Sequence, residues 1–231
     1  ADVYSMDLGI GWLLKAVDDL GLRENTIIVF SSDHGPAPVV LANEKNKAPD
    51  RIEFARNMLG TPGPFRGGKH TQWEGGVRVP FIIRWPGKVP ADQVNTTSVI
   101  SFMDWLPTLC KLTDTKNTAV DLDGEDVSDV WLGAKRTRTT PLFWRNSSPG
   151  GQVSLRTGDW KFHLRRKQAG GPLLYNLAKD PAESHNLVDE QPKLVNRLQR
   201  QATEWADTLP KAYDKVEKPK KKDRPKRPRR D

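Results

Sequence analysis

Apolar residues Tyr4, Met6, Ile10, Leu13, Leu14, Val17 and Leu20 recur at helical spacing and draw one stripe along residues 4–20. Gly21 follows as a stop. The pattern then becomes a short continuous run, Ile27-Ile28-Val29-Phe30, which predicts a buried strand of the parallel kind. A second run, Val79-Pro80-Phe81-Ile82-Ile83-Arg84-Trp85, predicts another strand, closed by the turn Pro86-Gly87. Ser101 and Asp104 have the spacing of a capping box and head a predicted helix over 102–112. Between the strands, residues 36–66 are rich in Pro, Asn, Lys and Gly and predict a long loop with one helical turn near 51–59. This order of elements is that of an α/β fold.

After about Arg138 the pattern changes. Pro141-Leu142-Phe143-Trp144, Val153-Ser154-Leu155-Arg156, Trp160-Lys161-Phe162-His163-Leu164 and Leu173-Leu174-Tyr175-Asn176-Leu177 are short strand candidates between Gly, Asn and Pro turns. A helix over 191–209 then carries Leu194, Leu198, Ala202 and Trp205 on one face. The expectation is a small antiparallel sheet with a helix laid on it. The domains divide as residues 1–137 in the α/β part, 138–209 in a small α+β subdomain, and 210–231 in a basic tail.

Charge sharpens this division. Of the net charge of +8, residues 215–231 contribute seven, from ten Lys or Arg against three Asp or Glu. The body is therefore nearly neutral. The Pro/Lys/Arg tail is expected to be disordered and either to solubilise the chain or to bind polyanions: sulfated glycan, nucleic acid or an anionic membrane. No aromatic residue interleaves its charges, which argues against base stacking. No run of about 18 apolar residues occurs, so no transmembrane helix is expected. The start of the chain lacks the features of a signal peptide and enters directly into a helical pattern, so an N-terminal part is expected to be missing. Cys110, the single cysteine, excludes an internal disulfide and reads as a small buried apolar residue.

Two stretches carry the chemistry. In Ser31-Ser32-Asp33-His34-Gly35-Pro36, a carboxylate and an imidazole stand beyond the carboxyl end of a buried strand, where α/β sheets place their ligands. Both can reach one divalent ion; the competing reading is a polar loop in which Asp33 caps a turn. Calcium prefers oxygen ligands, and His34 also admits zinc or manganese. In Gly67-Gly68-Lys69-His70-Thr71-Gln72-Trp73-Glu74-Gly75-Gly76, the glycines permit close approach, and Lys69 can present its ammonium to a sulfate or phosphate oxygen. The alternative is an exposed lysine in a flexible loop. His70 either contacts substrate or is a plain loop residue. Trp73 and Trp85 read as packing residues, and His163 and His185 as structural or exposed. Asn95-Thr96-Thr97 and Asn146-Ser147-Ser148 fit the glycosylation triplet.

These residues resemble the type I, formylglycine-dependent sulfatases. Thr26 to Gly35 resembles their second metal-ligand motif. Phe65-Arg66-Gly67-Gly68-Lys69 through Pro80, with Arg84-Trp85-Pro86-Gly87, resembles their lysine-containing motif and the strand after it. Ser101 to Leu109 resembles the helix that follows. Leu174-Tyr175-Asn176-Leu177, Asp180-Pro181, Glu183 and Asn186-Leu187 resemble the signature of their C-terminal subdomain. The similarity runs from about residue 4 to residue 209.

The resemblance implies an alkaline-phosphatase-like α/β core and hydrolysis of sulfate esters of carbohydrates or aryl groups. In that family a cysteine or serine in a C/S-x-P/A-x-R motif becomes formylglycine. Its hydrate attacks sulfur, the alcohol leaves, and elimination of sulfate restores the aldehyde. Asp33 would ligate the metal, usually Ca²⁺, and meet the hydrated aldehyde. His34 would take the neighbouring ligand position, and Lys69 would hold a sulfate oxygen and assist the leaving group. The motif for the nucleophile is absent from the 231 residues: Cys110 stands in Cys110-Lys111-Leu112-Thr113-Asp114. The nucleophile, an acidic ligand pair and a catalytic histidine are expected upstream, and the chain alone is expected to lack turnover. Residues 1–137 would be the C-terminal part of the catalytic domain, and the location periplasmic or secreted. A phosphomonoester or phosphodiester hydrolase of the same superfold is the alternative, and a non-catalytic polyanion-binding relative is the third reading.

Overall fold

A computed structural model describes residues 2–37, 60–118, 121–145, 152–164 and 170–209. The expected turn near 51–59, the Asn146-Ser147-Ser148 triplet and the tail 210–231 lie outside the described residues.

Helix α1 spans Asp2–Asp19, and Gly21 ends it with φ of 69°. Its last turn is tied down electrostatically: Asp18 accepts from Arg84 at 2.9 Å and from Arg23 at 2.8 Å. Of the apolar stripe, Tyr4, Met6, Leu13 and Leu20 are exposed and Ile10, Leu14 and Val17 are half-buried; Val3 and Trp12 of the same helix are also exposed.

Strand β1, Ile28–Ser31, pairs with β2, Phe81–Arg84, in the register Ile28↔Arg84 to Ser31↔Phe81. The pairing is antiparallel, unlike the parallel neighbour expected for β1. A continuous apolar run reports burial on both faces and carries no information on strand direction, and mixed sheets commonly include antiparallel pairs. β2 is shorter than expected, because Val79 and Pro80 lead into the strand without joining its ladder.

The capping box at Ser101 is complete. A 3₁₀ turn, Phe102–Asp104, precedes the short helix Trp105–Leu112. Asp104 is fully buried and accepts from Ser101 N–H at 2.7 Å, Glu125 N–H at 3.0 Å and the Arg138 guanidinium at 2.5 Å and 3.0 Å. Trp131, in the helical turn Ser128–Trp131, packs against Phe81 and Trp105. Cys110 is half-buried rather than buried.

The second sheet orders its strands β3 (Leu142–Arg145), β4 (Val153–Thr157), β5 (Trp160–Leu164) and β6 (Leu173–Asn176) sequentially, all antiparallel. A two-residue hairpin loop, with Gly158 at φ of 55°, joins β4 to β5. The helix Pro192–Thr208 lies on one face, as expected. Val195, Leu198 and Ala202 close on Val153, Leu155, Phe162, Leu164 and Leu174, and Trp205 stacks on Phe143 at 4.8 Å. Full burial of a side chain such as Leu198 contributes roughly 1.5–3 kcal/mol. Because side chains alternate along a strand, Ser154, Lys161, His163 and Tyr175 occupy the opposite face. That face is buried too, and it is polar.

Candidate active site

Beyond β1 the chain turns through Asp33-His34-Gly35-Pro36. Ser32 Oγ donates to the carbonyl of His34 at 2.9 Å, and Ser31 Oγ donates to that of Pro80 at 2.7 Å. Gly35 N–H donates to Gly76 O at 3.0 Å, and Lys69 N–H donates to Pro36 O at 2.8 Å. These two main-chain bonds join the Asp33-His34 loop to the glycine-rich loop. A Cβ on Gly35 would lie 1.8 Å from Gly75 O, so only glycine allows the approach.

The Lys69 turn is closed on itself. Thr71 N–H and Oγ1 both donate to Gly68 O, at 3.0 Å and 2.7 Å, and Gly75 N–H donates to Arg66 O at 2.8 Å. His70 sits at the corner with φ of 72° and is exposed. Lys69, Arg78, His34, Ser32 and Phe65 line one open groove of about 680 Å³. Among the described residues, Lys69 and Arg78 are its charged lining groups and no carboxylate lines it. The Arg78 guanidinium lies 4.6 Å over the Phe65 ring. His70 does not line this groove. Asp33, 83% exposed, reaches it only through His34.

The pair Asp33 and His34 fits a divalent cation in its chemistry. His34 Nδ1 lies 2.7 Å from Gly35 O, an acceptor, so the proton belongs on Nδ1. Nε2 then turns a lone pair toward Asp33 Oδ2 at 3.1 Å. Two acceptors that close require a proton or a metal ion between them, and an imidazole with Nδ1–H bound to a carbonyl is the usual form of a ligating histidine. The pair would offer two ligands, and among the described residues no group of three or more His, Cys, Asp or Glu converges on one point.

Behind the groove stands a buried polar cluster that the residue pattern did not announce. Glu74 opens the helical turn Glu74–Val77, and its carboxylate meets Lys161 at 2.8 Å and Arg156 at 3.3 Å. Burial opposes charge on Glu74, yet Lys161 and Arg156 outweigh it and hold the carboxyl below its ordinary range. Glu74 N–H donates to Glu183 Oε2 at 2.6 Å, and His163 Nε2 lies 3.2 Å from Glu183 Oε1. Burial lowers the pKa of His163, leaving it neutral, with Nε2–H donating to Glu183 and Nδ1 facing Gln152 at 2.7 Å. Ser154 Oγ donates to Gln72 at 2.6 Å. Trp73 packs on His163 at 4.3 Å and takes the Arg66 guanidinium over its ring at 3.9 Å. His163 and Trp73 are thus structural, whereas His185 is exposed beside Glu190. The one available signal was the alternation Lys161-Phe162-His163-Leu164, which puts two ionisable groups on one face of a strand.

Comparison with known proteins places these features. Residues 1–115 match the family model "Sulfatase", and residues 67–208 match "N-sulphoglucosamine sulphohydrolase, C-terminal". Human arylsulfatase A is 32% identical over 80% of this chain and 38% of its own length. The N-acetylgalactosamine-6-O-sulfatase of Bacteroides thetaiotaomicron is 30% identical over 85% of this chain and 39% of its own. A solved structure from work on the metabolism of multiple glycosaminoglycans by Bacteroides thetaiotaomicron superposes with a TM-score of 0.66, at 27% identity, over 87% of this chain and 42% of that one. The chain spans about two fifths of the length of the relatives it matches. On the strength of both family models and of the shared alkaline-phosphatase-like α/β fold, the chain belongs to the sulfatase family.

Proposed function

We propose that these residues serve the hydrolysis of sulfuric esters, with Lys69 gripping a sulfate oxygen. One observation carries this reading: Lys69 is bonded through its own N–H to the loop of Asp33 and His34, so the cation and His34 open onto one groove, with Asp33 beside His34 at 3.1 Å. Sulfatases are metal-dependent in general, and here Asp33 and His34 would hold the ion. Calcium is the leading choice, with zinc or manganese admitted by the imidazole. A bound divalent ion supplies polarisation of the sulfate oxygens, and a formylglycine, which no motif in these residues can provide, supplies the attacking oxygen.

The chain's own groups do the rest. The Lys69 ammonium neutralises charge on the sulfate and on the departing alcohol oxygen. Arg78 adds a second positive charge along the groove, and Phe65 offers an apolar face to a sugar or aryl ring. His70 is assigned to substrate contact outside the groove. The N-acetylgalactosamine-6-O-sulfatase relative favours a sulfated carbohydrate, and the arylsulfatase relative keeps aryl sulfates open. We assign residues 1–137 to the catalytic domain, 138–209 to the bracing subdomain and the basic tail to polyanion binding. A periplasmic or secreted location fits the family; among the described residues no helix is long and apolar enough to cross a membrane.

Both matching family models are of sulfate-hydrolysing enzymes, which disfavours the phosphoester alternative. The test is a parallel assay of the full-length protein on p-nitrophenyl sulfate and p-nitrophenyl phosphate. Sulfate should be preferred, and Lys69→Ala should lower kcat/KM about 100-fold or more. A phosphate preference, or a Lys69→Ala variant with native turnover, overturns the reading.

A further inference from the structure

We propose that Glu183 and Lys161 are positioning residues for Lys69, acting through Glu74 from a loop and a strand of the second subdomain, neither of the two lining the groove. The inference rests on the reading of Lys69 as the sulfate grip, but its geometry stands apart from it. Glu183 holds the Lys69 loop at both ends. Its carboxylate accepts the Glu74 N–H at 2.6 Å, and its main-chain carbonyl accepts from Arg66 Nη1 at 3.0 Å. Lys69 lies between residues 66 and 74. From Glu74 the constraint runs inward through Gly75 N–H on Arg66 O and the closed Gly68–Thr71 turn to Lys69 itself. Lys161, fully buried, fixes the Glu74 carboxylate from the polar face of the second sheet.

Two facts argue that the clasp is there for position. Burying several charges carries a desolvation cost that well-packed apolar residues would avoid, so the cluster is poorly explained by stability alone. Glu183 also adopts φ of 52°, a left-handed conformation that favours glycine and persists in other residues only where surroundings enforce it. An accurately placed cation is what a transition-state contact needs, since a misplacement of about 1 Å can cost about 100-fold in rate.

The experiment uses the full-length enzyme with Glu183→Ala, Glu183→Gln, Lys161→Met and, as a control, Arg138→Met, which breaks the separate buried pair with Asp104. Amide hydrogen exchange over residues 66–76 is measured beside kcat and KM for a sulfate ester. Glu183→Ala and Lys161→Met should raise exchange in that segment at least 10-fold and lower kcat more than they raise KM. Glu183→Gln keeps an acceptor for the Glu74 N–H and should restore most of both. Arg138→Met should destabilise the fold without selective exchange at 66–76. Exchange and kcat within twofold of wild type in Glu183→Ala, or the same segmental change in Arg138→Met, overturns the clasp. Should Glu183→Ala fail to fold, Glu183→Asp, one methylene shorter, gives the same reading. Wild type without sulfate hydrolysis but with the exchange effects would sink the proposed function and leave the clasp; an active wild type with no exchange effect would do the reverse.

Discussion

Gly35 and His163 show how single residues set limits on this site. The Gly35 backbone lies against Gly75 and Gly76, and both neighbours of an added methyl are main chain, which cannot rotate away. Gly35→Ala should cost about 3 kcal/mol, the upper part of the range for overpacking, and should separate the two loops. Denaturant titration checks the first claim, and loss of protection at the Lys69 amide checks the second. His163 is neutral because burial disfavours its charged form, so its folded pKa lies below the ordinary 6.5. The unfolded chain then binds more protons in that window, and stability present above about pH 6.5 is lost as pH falls. Glu74, held below 4.5, adds stability that is lost as pH drops from 4.5 through its folded value. Stability measured from pH 7 down past the folded value of Glu74 should therefore decline in two phases, and His163→Gln should remove the first.

Among the elements, those with a periodic pattern were readable from sequence and those built by distant partners were not. The helix Pro192–Thr208 and strands β4, β5 and β6 fall within a residue or two of expectation, because Leu194, Leu198 and Ala202 repeat at helical spacing and glycine turns bound each strand. β1 was located correctly, but its partner's direction was not, since Ile28, Val29 and Phe30 look alike in either pairing. Asp33, His34 and Lys69 are singled out as candidates by local motif, and the loops that carry them are joined by the Lys69 N–H to Pro36 O bond. Glu183 was not singled out for the site, because its bond to Glu74 spans 109 residues and leaves no local trace. The capping box at Ser101 shows the same mixture. Its spacing was evident, whereas the partnership of Asp104 with Arg138, 34 residues on, was not. Asp104→Ala would leave the Arg138 guanidinium buried without its carboxylate, and a loss of about 3–5 kcal/mol is expected in chemical denaturation.

At the scale of the whole molecule, the second sheet and its helix form a closed core, whereas α1 presents Tyr4, Trp12 and Leu13 uncovered. Met6 and Leu13 on one side of the helix, and Tyr4, Leu8 and Trp12 on another, expose apolar side chains that favour association. The 231-residue chain alone should therefore self-associate and bind a hydrophobic dye, and Trp12→Lys with Leu13→Lys should reduce both. A monodisperse monomer without dye binding in sedimentation and fluorescence measurements refutes this. The reach of Glu183 back to Glu74 also bears on biosynthesis. A ribosome moving at about 5–20 residues per second needs on the order of ten seconds to make the 109 residues between them. Throughout that interval the nascent lysine turn has no clasp, and a premature stop codon between positions 80 and 183 would leave it unfastened for good, with Asp33, His34 and Lys69 still spelled out in the product.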